Sequence, residues 1–125
     1  MQYDINDLMT HVQAWLTTGV LVPTILSDDF LFTSPYWKQA NKVDFVSKFL
    51  DATEYVEKSL SKITHFDTIY AMRDDKNACF TLVLKYHTKN GNSVDEAVFC
   101  RIEKGLIIEM RSIYDLAATK EALEL

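Results

Sequence analysis

The stretch from Cys79 to Leu116 constrains the fold most. Three segments with strand-like alternation lie there, Cys79–Thr88, Ser93–Glu103 and Leu106–Leu116, separated by Lys89-Asn90-Gly91-Asn92 and Lys104-Gly105. Asn-Gly supplies the positive φ angles that a tight hairpin needs. In the last two segments one face carries Val94, Glu96, Val98, Cys100 and Ile102, then Ile108, Met110, Ser112 and Tyr114. The other carries Asp95, Ala97, Phe99, Arg101 and Glu103, then Ile107, Glu109, Arg111, Ile113 and Asp115. Period two thus predicts a meander with one mostly apolar face and one mixed, charged face. The segments upstream are read as the cover of the apolar face.

With 125 residues, 48% of them hydrophobic, the chain suits one domain over residues 1–125 with a single core rather than a disordered segment. A net charge of −5 and the lack of a Lys/Arg stripe argue against nucleic acid or an anionic membrane as partner. Cys79 and Cys100 fall on neighbouring predicted strands, so a bridge is conceivable. The polar start Met1-Gln2-Tyr3-Asp4 and the want of a membrane-length apolar run favour two reduced thiols in the cytoplasm. None of the CxxC, HExxH, Walker or GxGxxG patterns occurs, so no metal and no cofactor is expected.

Upstream, Ile5, Leu8, Met9, Val12, Trp15 and Leu16 form one stripe of an amphipathic helix, capped by Asp4 and stopped at Gly19. A short second helix starts at Pro23, and a short strand runs Asp28–Thr33 to Ser34-Pro35. After a loop, Asn41 caps a third helix with Val43, Val46, Phe49 and Leu50 as its apolar positions, and it continues or restarts through Tyr55, Val56 and Leu60. Ser61–Met72 reads as a long strand with Ile63, His65, Asp67 and Ile69 on one face and Phe66, Thr68, Tyr70 and Met72 on the other. A weak helix, Ala118–Leu123, ends the chain. The order predicts an α+β domain with helices on one face of a strongly bent sheet.

Several strings, in this order, resemble the nuclear transport factor 2-like superfamily in its SnoaL-like and ketosteroid isomerase-like branch. They are Val12-Gln13-Ala14-Trp15, Leu26-Ser27-Asp28-Asp29-Phe30 leading to Ser34-Pro35, and Lys104-Gly105-Leu106-Ile107-Ile108-Glu109-Met110-Arg111-Ser112-Ile113-Tyr114-Asp115. The resemblance spans Leu8 to Leu116. It implies a cystatin-like α+β barrel: a cone-shaped mixed or antiparallel sheet around N-terminal helices, in the order α-α-β-α-β-β-β-β, with a pocket at the wide end. It also implies pairing through the outer surface of the sheet. By local alignment, the tyrosine, base and oxyanion aspartate positions of ketosteroid isomerases hold Trp15, Ser34 and Val98. An indole N–H still donates but is aimed differently, serine is no base at neutral pH, and valine offers nothing. Loss of one oxyanion donor alone costs about 3–4 kcal/mol. Ketosteroid isomerisation is therefore not expected.

The resemblance offers other candidates. Certain dehydratase-like relatives use a histidine from the region of His65, whose imidazole suits acid/base work near neutral pH, and Asp67 shares its predicted face. A strand histidine facing solvent is the competing reading. Asp115 matches a position near the base of SnoaL-like cyclases, against a plain role bonding backbone N–H groups at a strand end. Glu96 interrupts the apolar face of its strand, and a buried carboxylate there would be a site candidate. His11 and His87 read as solvated positions. Arg101, Glu109 and Arg111 read as a cross-strand charge ladder, and Phe99, Ile107 and Ile113 between them suggest a covered face and a homodimer.

Two readings follow. In one, the domain binds a small apolar molecule in a pocket lined by Trp15, Ser34, Val98, Met110, Ser112 and Tyr114, as a binding protein or an isomerase-, cyclase- or dehydratase-type enzyme with His65 as candidate catalyst. In the other, it is a non-catalytic assembly module with a vestigial pocket. A convergent pair of titratable groups in the pocket would separate them.

Overall fold

The computed structural model describes residues 3–125, except for the side chains of residues 68 and 69; the polar start at Met1 and Gln2 and the faces read for Thr68 and Ile69 lie outside that description. Helix α1, Ile5–Thr18, begins where the Asp4 carboxylate accepts the N–H of Asp7 at 2.8 Å. It buries Leu8, Val12, Trp15 and Leu16, the heart of the predicted stripe. It ends at Gly19, whose φ of 80° turns its N–H back to the carbonyl of Trp15 at 2.8 Å. The segment at Pro23 makes only a 3-10 turn, Pro23–Ile25, before strand β1, Leu26–Thr33.

A two-residue strand β2, Ala40–Asn41, leads into α2, Lys42–Phe49, where Asn41 caps the N–H of Asp44 at 2.9 Å. Here the predicted apolar stripe is corrected. Val43 and Leu50 are exposed; the core receives Phe49, as the stripe predicted, together with Phe45, one turn before it. Phe45 meets the rings of Trp15, Phe30, Phe32, Trp37 and Phe49, the last at 4.9 Å between centroids. A fully buried aromatic ring outweighs two aliphatic side chains left in water, so the helix turns its phenylalanines inward. The chain breaks after Leu50 and restarts as α3, Thr53–Lys58.

Strands β3 (Ile63–Asp74), β4 (Cys79–Thr88), β5 (Ser93–Glu103) and β6 (Leu106–Ile113) form the long meander, and α4, Leu116–Leu123, closes the chain. The sheet has six strands in the order β2-β1-β6-β5-β4-β3, with β1 parallel to β6 and every other pair antiparallel. It curves around the helices as a cone but does not close, since β2 and β3 remain its edges.

Even-numbered residues of β4 and β5 face inward: Phe80, Leu82, Leu84 and Tyr86 pair with or lie beside Val94, Val98 and Cys100. Strict alternation fails in two places. A bulge opposite Arg101 and Ile102 lets both Ile107 and Met110 of β6 enter the core. The outward position expected for Ile107 is therefore corrected: it is 0% exposed. Two register shifts in β3 likewise bring Ile63 and Phe66 to one side and leave Tyr70 and Met72 outside. Cys79 lies opposite Arg101 on the outer face while Cys100 is buried on the inner one, so the thiols point to opposite sides of the sheet and are unbridged.

Gly19 and Gly91 both have positive φ, but a Cβ on Gly19 would sit 3.3 Å from the Cβ of Ala52, whereas one on Gly91 meets nothing within 4 Å. Each Gly→Ala replacement incurs the left-handed backbone cost of roughly 1–2 kcal/mol. Gly19→Ala is expected to lower the urea midpoint further than Gly91→Ala. Equal midpoints for the two variants would show that the approach of α3 to the end of α1 tolerates a methyl group.

Candidate functional site

A cavity of about 240 Å³ lies between the helices and the inner face of the sheet. Helix α1 contributes Trp15 and Leu16, and α2 and α3 contribute Phe49 and Tyr55. The sheet adds Ile63, Phe66, Leu84, Tyr86, Glu96 and Ser112, and Tyr114 follows β6. Phe32 and the loop with Ser34 and Trp37 form another wall, and Leu116, Thr119 and Leu123 of α4 cover the remaining side. Lys48, Glu54, Lys58 and Lys120 also border the space.

The walls are chiefly aromatic because three separate segments aim rings at the same point. Trp15 packs edge-on against Phe49 at 5.1 Å and against Phe32 at 6.5 Å, and Tyr55 joins Phe49 at 5.7 Å. The Trp15 Nε1 atom is buried with no hydrogen-bond partner among the described residues. Tyr55 is held by its hydroxyl, which donates to the carbonyl of Leu16 at 3.2 Å.

Among the described residues, Glu96 is the one carboxylate on the sheet wall of this cavity. It stands on β5 beside Ser112 of β6, whose hydroxyl donates to Glu96 Oε2 at 2.7 Å. Removal from water pushes the Glu96 carboxyl up to about 6, with the Ser112 hydrogen bond opposing the shift. Burial foremost, and then the nearby Glu96 charge, raise the phenols of Tyr55 and Tyr86, the latter to about 12. Burial also raises Tyr114, with the Ser34 hydroxyl pulling the other way and Glu96 adding to the rise.

The predicted site residues part company here. Trp15, Ser34, Ser112 and Tyr114 line the cavity. Val98 and Met110 share the inner face but are sealed in the core, 0% and 1% exposed, and do not reach it. The Ser34 hydroxyl is occupied in shaping its own turn, accepting the N–H of Trp37 at 2.8 Å and donating to its carbonyl at 3.2 Å. His65 is exposed and lies outside the cavity lining. Its ring stacks on that of His87 at 4.4 Å, and Asp67 faces His87 Nε2 at 3.6 Å rather than orienting His65. The register shift after Ile63 is what puts His65 on the far side of β3. Asp115 caps α4, accepting the N–H of Ala118 at 3.0 Å.

Sequence reasoning did not find Tyr55, Phe49, Phe66 and Tyr86. For Tyr86 a signal existed: it continues the inward row Phe80, Leu82, Leu84. Phe49 and Tyr55 read only as apolar helix positions, a signal that does not say whether such a side chain faces a cavity or fills a core.

No family model matches the sequence, and no curated protein matches it. In structure, the chain has the nuclear transport factor 2-like fold of ketosteroid isomerase-like proteins. A ketosteroid isomerase-like protein from Catenulispora acidiphila, solved with trimethylamine, is 16% identical with a TM-score of 0.66, covering 95% of this chain and 93% of its own. A proposed polyketide cyclase from Pseudomonas putida is 17% identical at 0.66, covering 92% and 94%. A protein of unknown function from Burkholderia pseudomallei is 14% identical at 0.66, covering all of both chains. At such identities the likeness extends to the fold alone.

The raised Glu96 carboxyl makes a signed prediction. Its folded value, about 6, lies above its ordinary value of 4.5, so the folded state holds this proton more tightly. Stability from this group is therefore lost as pH rises from 4.5 through 6, by about 2 kcal/mol in all. Glu96→Gln removes that loss. The stability difference between variant and wild type should shift by about 2 kcal/mol in the variant's favour between pH 4 and pH 8, measured by urea unfolding. A difference independent of pH would show that Glu96 is well solvated.

Proposed function

We propose that this chain binds a compact, mostly apolar small molecule in the cavity, with Trp15, Ser34, Ser112 and Tyr114 among the residues around it. Glu96 is the group suited to move or share a proton there. The observation that carries the reading is an aromatic-walled space of about 240 Å³ with a carboxylate set into its sheet wall. Apolar concavities with few polar groups are the usual form of small-molecule sites. Capture of trimethylamine by the Catenulispora protein is in keeping with small ligands on this fold. If the site is catalytic, its reaction is of the isomerase, cyclase or dehydratase type and runs through Glu96 rather than His65. A carboxyl near 6 exchanges protons readily at neutral pH. The assembly-module reading leaves this carboxylate without a purpose.

The test uses Trp15 as reporter. In the Trp37→Phe protein, apolar and aromatic-acid probes are expected to quench or shift Trp15 emission saturably, and Thr119→Phe is expected to block them by filling the space beneath α4. A panel with no saturable response would return the chain to the assembly-module reading.

The outer face of the sheet supports a homodimer as part of the same proposal. Tyr70, Val83, Ala97 and Ile113 pair in one row across four strands, with Met72 and Phe99 in the next. Tyr70, Met72 and Ile113 are 61%, 56% and 59% exposed, an apolar patch. Beside it Glu109 holds Arg101 at 3.1 Å and Arg111 at 2.9 Å, a polar rim. Light scattering should give twice 14.4 kDa at micromolar concentration, and Ile113→Glu should give 14.4 kDa. A wild-type monomer would remove the dimer from the proposal. The cytoplasm, which keeps thiols reduced, suits the unbridged cysteines.

A further inference from the structure

The cavity wall poses an electrostatic problem that the protein itself does not solve. Glu96 is set among apolar and aromatic side chains, and among the described residues its one side-chain hydrogen bond comes from the neutral hydroxyl of Ser112. Among the described residues, no Lys, Arg or His lies within ion-pair distance of it. Glu96 is half-buried, turned into the cavity rather than sealed in the core, and an unpaired carboxylate facing an apolar-walled space is costly.

The lysines around the space are otherwise engaged. Lys58 and Lys48 reach Glu54 at 3.2 Å and 3.9 Å, and Lys120 stands 6.0 Å from the centre of the Tyr36 ring. The groups that do face Glu96 are Tyr55 from α3, Tyr86 from β4, and Ser112 and Tyr114 from β6 and the turn after it. All are neutral, and three of them are aromatic. Trp15, Phe49 and Phe66 complete the ring-lined wall.

Aromatic faces carry negative potential and attract cations, most strongly those whose charge is spread over alkyl groups and is cheap to desolvate. A carboxylate behind such faces supplies the opposite charge at short range. The geometry points to a compact organic cation of the alkylammonium type as the ligand of this cavity, its alkyl groups on the rings of Trp15, Tyr55 and Tyr86 and its charge toward Glu96. The inference rests on the small-molecule reading above and names the ligand class for it. The volume agrees: about 240 Å³ is room for roughly eight waters at ~30 Å³ each, enough for a quaternary ammonium with a short tail.

Choline and its neutral carbon isostere, 3,3-dimethyl-1-butanol, have the same shape and differ in charge. In titration calorimetry on the full chain at pH 8, choline is expected to bind at least tenfold more tightly than the isostere. Glu96→Gln should bring choline down to the isostere's level. Equal affinity of the two probes for the wild-type protein overturns the inference without need of any variant. So does choline binding that survives Glu96→Gln. If neither probe binds while the apolar probes still perturb Trp15, the cation inference fails and the small-molecule reading stands. If those probes fail as well, both fall.

Discussion

The packing of Phe45 is the contact on which the rest of the structure depends. Its ring is fully buried and lies against Trp15 of α1, Phe30 and Phe32 of β1, Trp37 of the following loop and Phe49 one turn further along α2. Four pieces of chain that share no backbone hydrogen-bond ladder with one another are thereby fixed on one ring, apart from the pairing of β2 to β1. Aromatic pairs of this kind add about 0.5–1.5 kcal/mol each beyond area burial, and their tilted and edge-on geometries fix orientation as well as distance. The orientation matters more here. It holds Trp15 and Phe49 at the angle that leaves a cavity behind them instead of a filled core.

The cavity is then a consequence of curvature meeting incomplete cover. The sheet bends around α1 and α2, and α4 returns to the sheet side, where the Lys62 ammonium donates to the carbonyl of Leu123 and the Asn90 amide to that of Glu121 at 3.2 Å. Those two contacts join the helix to the ends of the β3–β4 region and hold the last wall in place. Inside, Glu96 costs the fold stability above its pKa, since a carboxylate in water would be better solvated. A leucine at that position would extend the row Val94, Val98, Cys100 and stabilise the core. A carboxylate held against that gradient, hydrogen-bonded by Ser112, belongs to the site more than to the scaffold.

The outer face follows different rules. There the charges are exposed and paired with one another, as in the Arg101–Glu109–Arg111 set, where Glu109 is held below its usual range chiefly by its hydrogen bond from Arg111. Such pairs contribute little stability. The large side chains beside them, Tyr70, Met72 and Ile113, leave more than half of their surface in water in a lone protomer.

The sequence by itself determined the order of elements and the meander, because those rest on local chemistry. Asn90-Gly91 and Lys104-Gly105 set the turns, Asp4 and Asn41 cap helices, and unbroken alternation in β4 and β5 assigns their faces. It also marked Glu96 as the break in an apolar row. Tertiary structure alone decided the remainder. Bulges in β3 and β6 reversed the alternation, sending His65 outward and Ile107 inward, and a bulge is chosen by what the curved sheet must cover rather than by the residues within it. The rotation of α2 was settled by the rings waiting for Phe45, not by its own aliphatic stripe. Tyr55, Tyr86, Glu96 and Ser112 come together from four elements, and their proximity is a property of the curved sheet and the helices packed in it, where long-range packing, not local preference, brings distant side chains within reach of one charge.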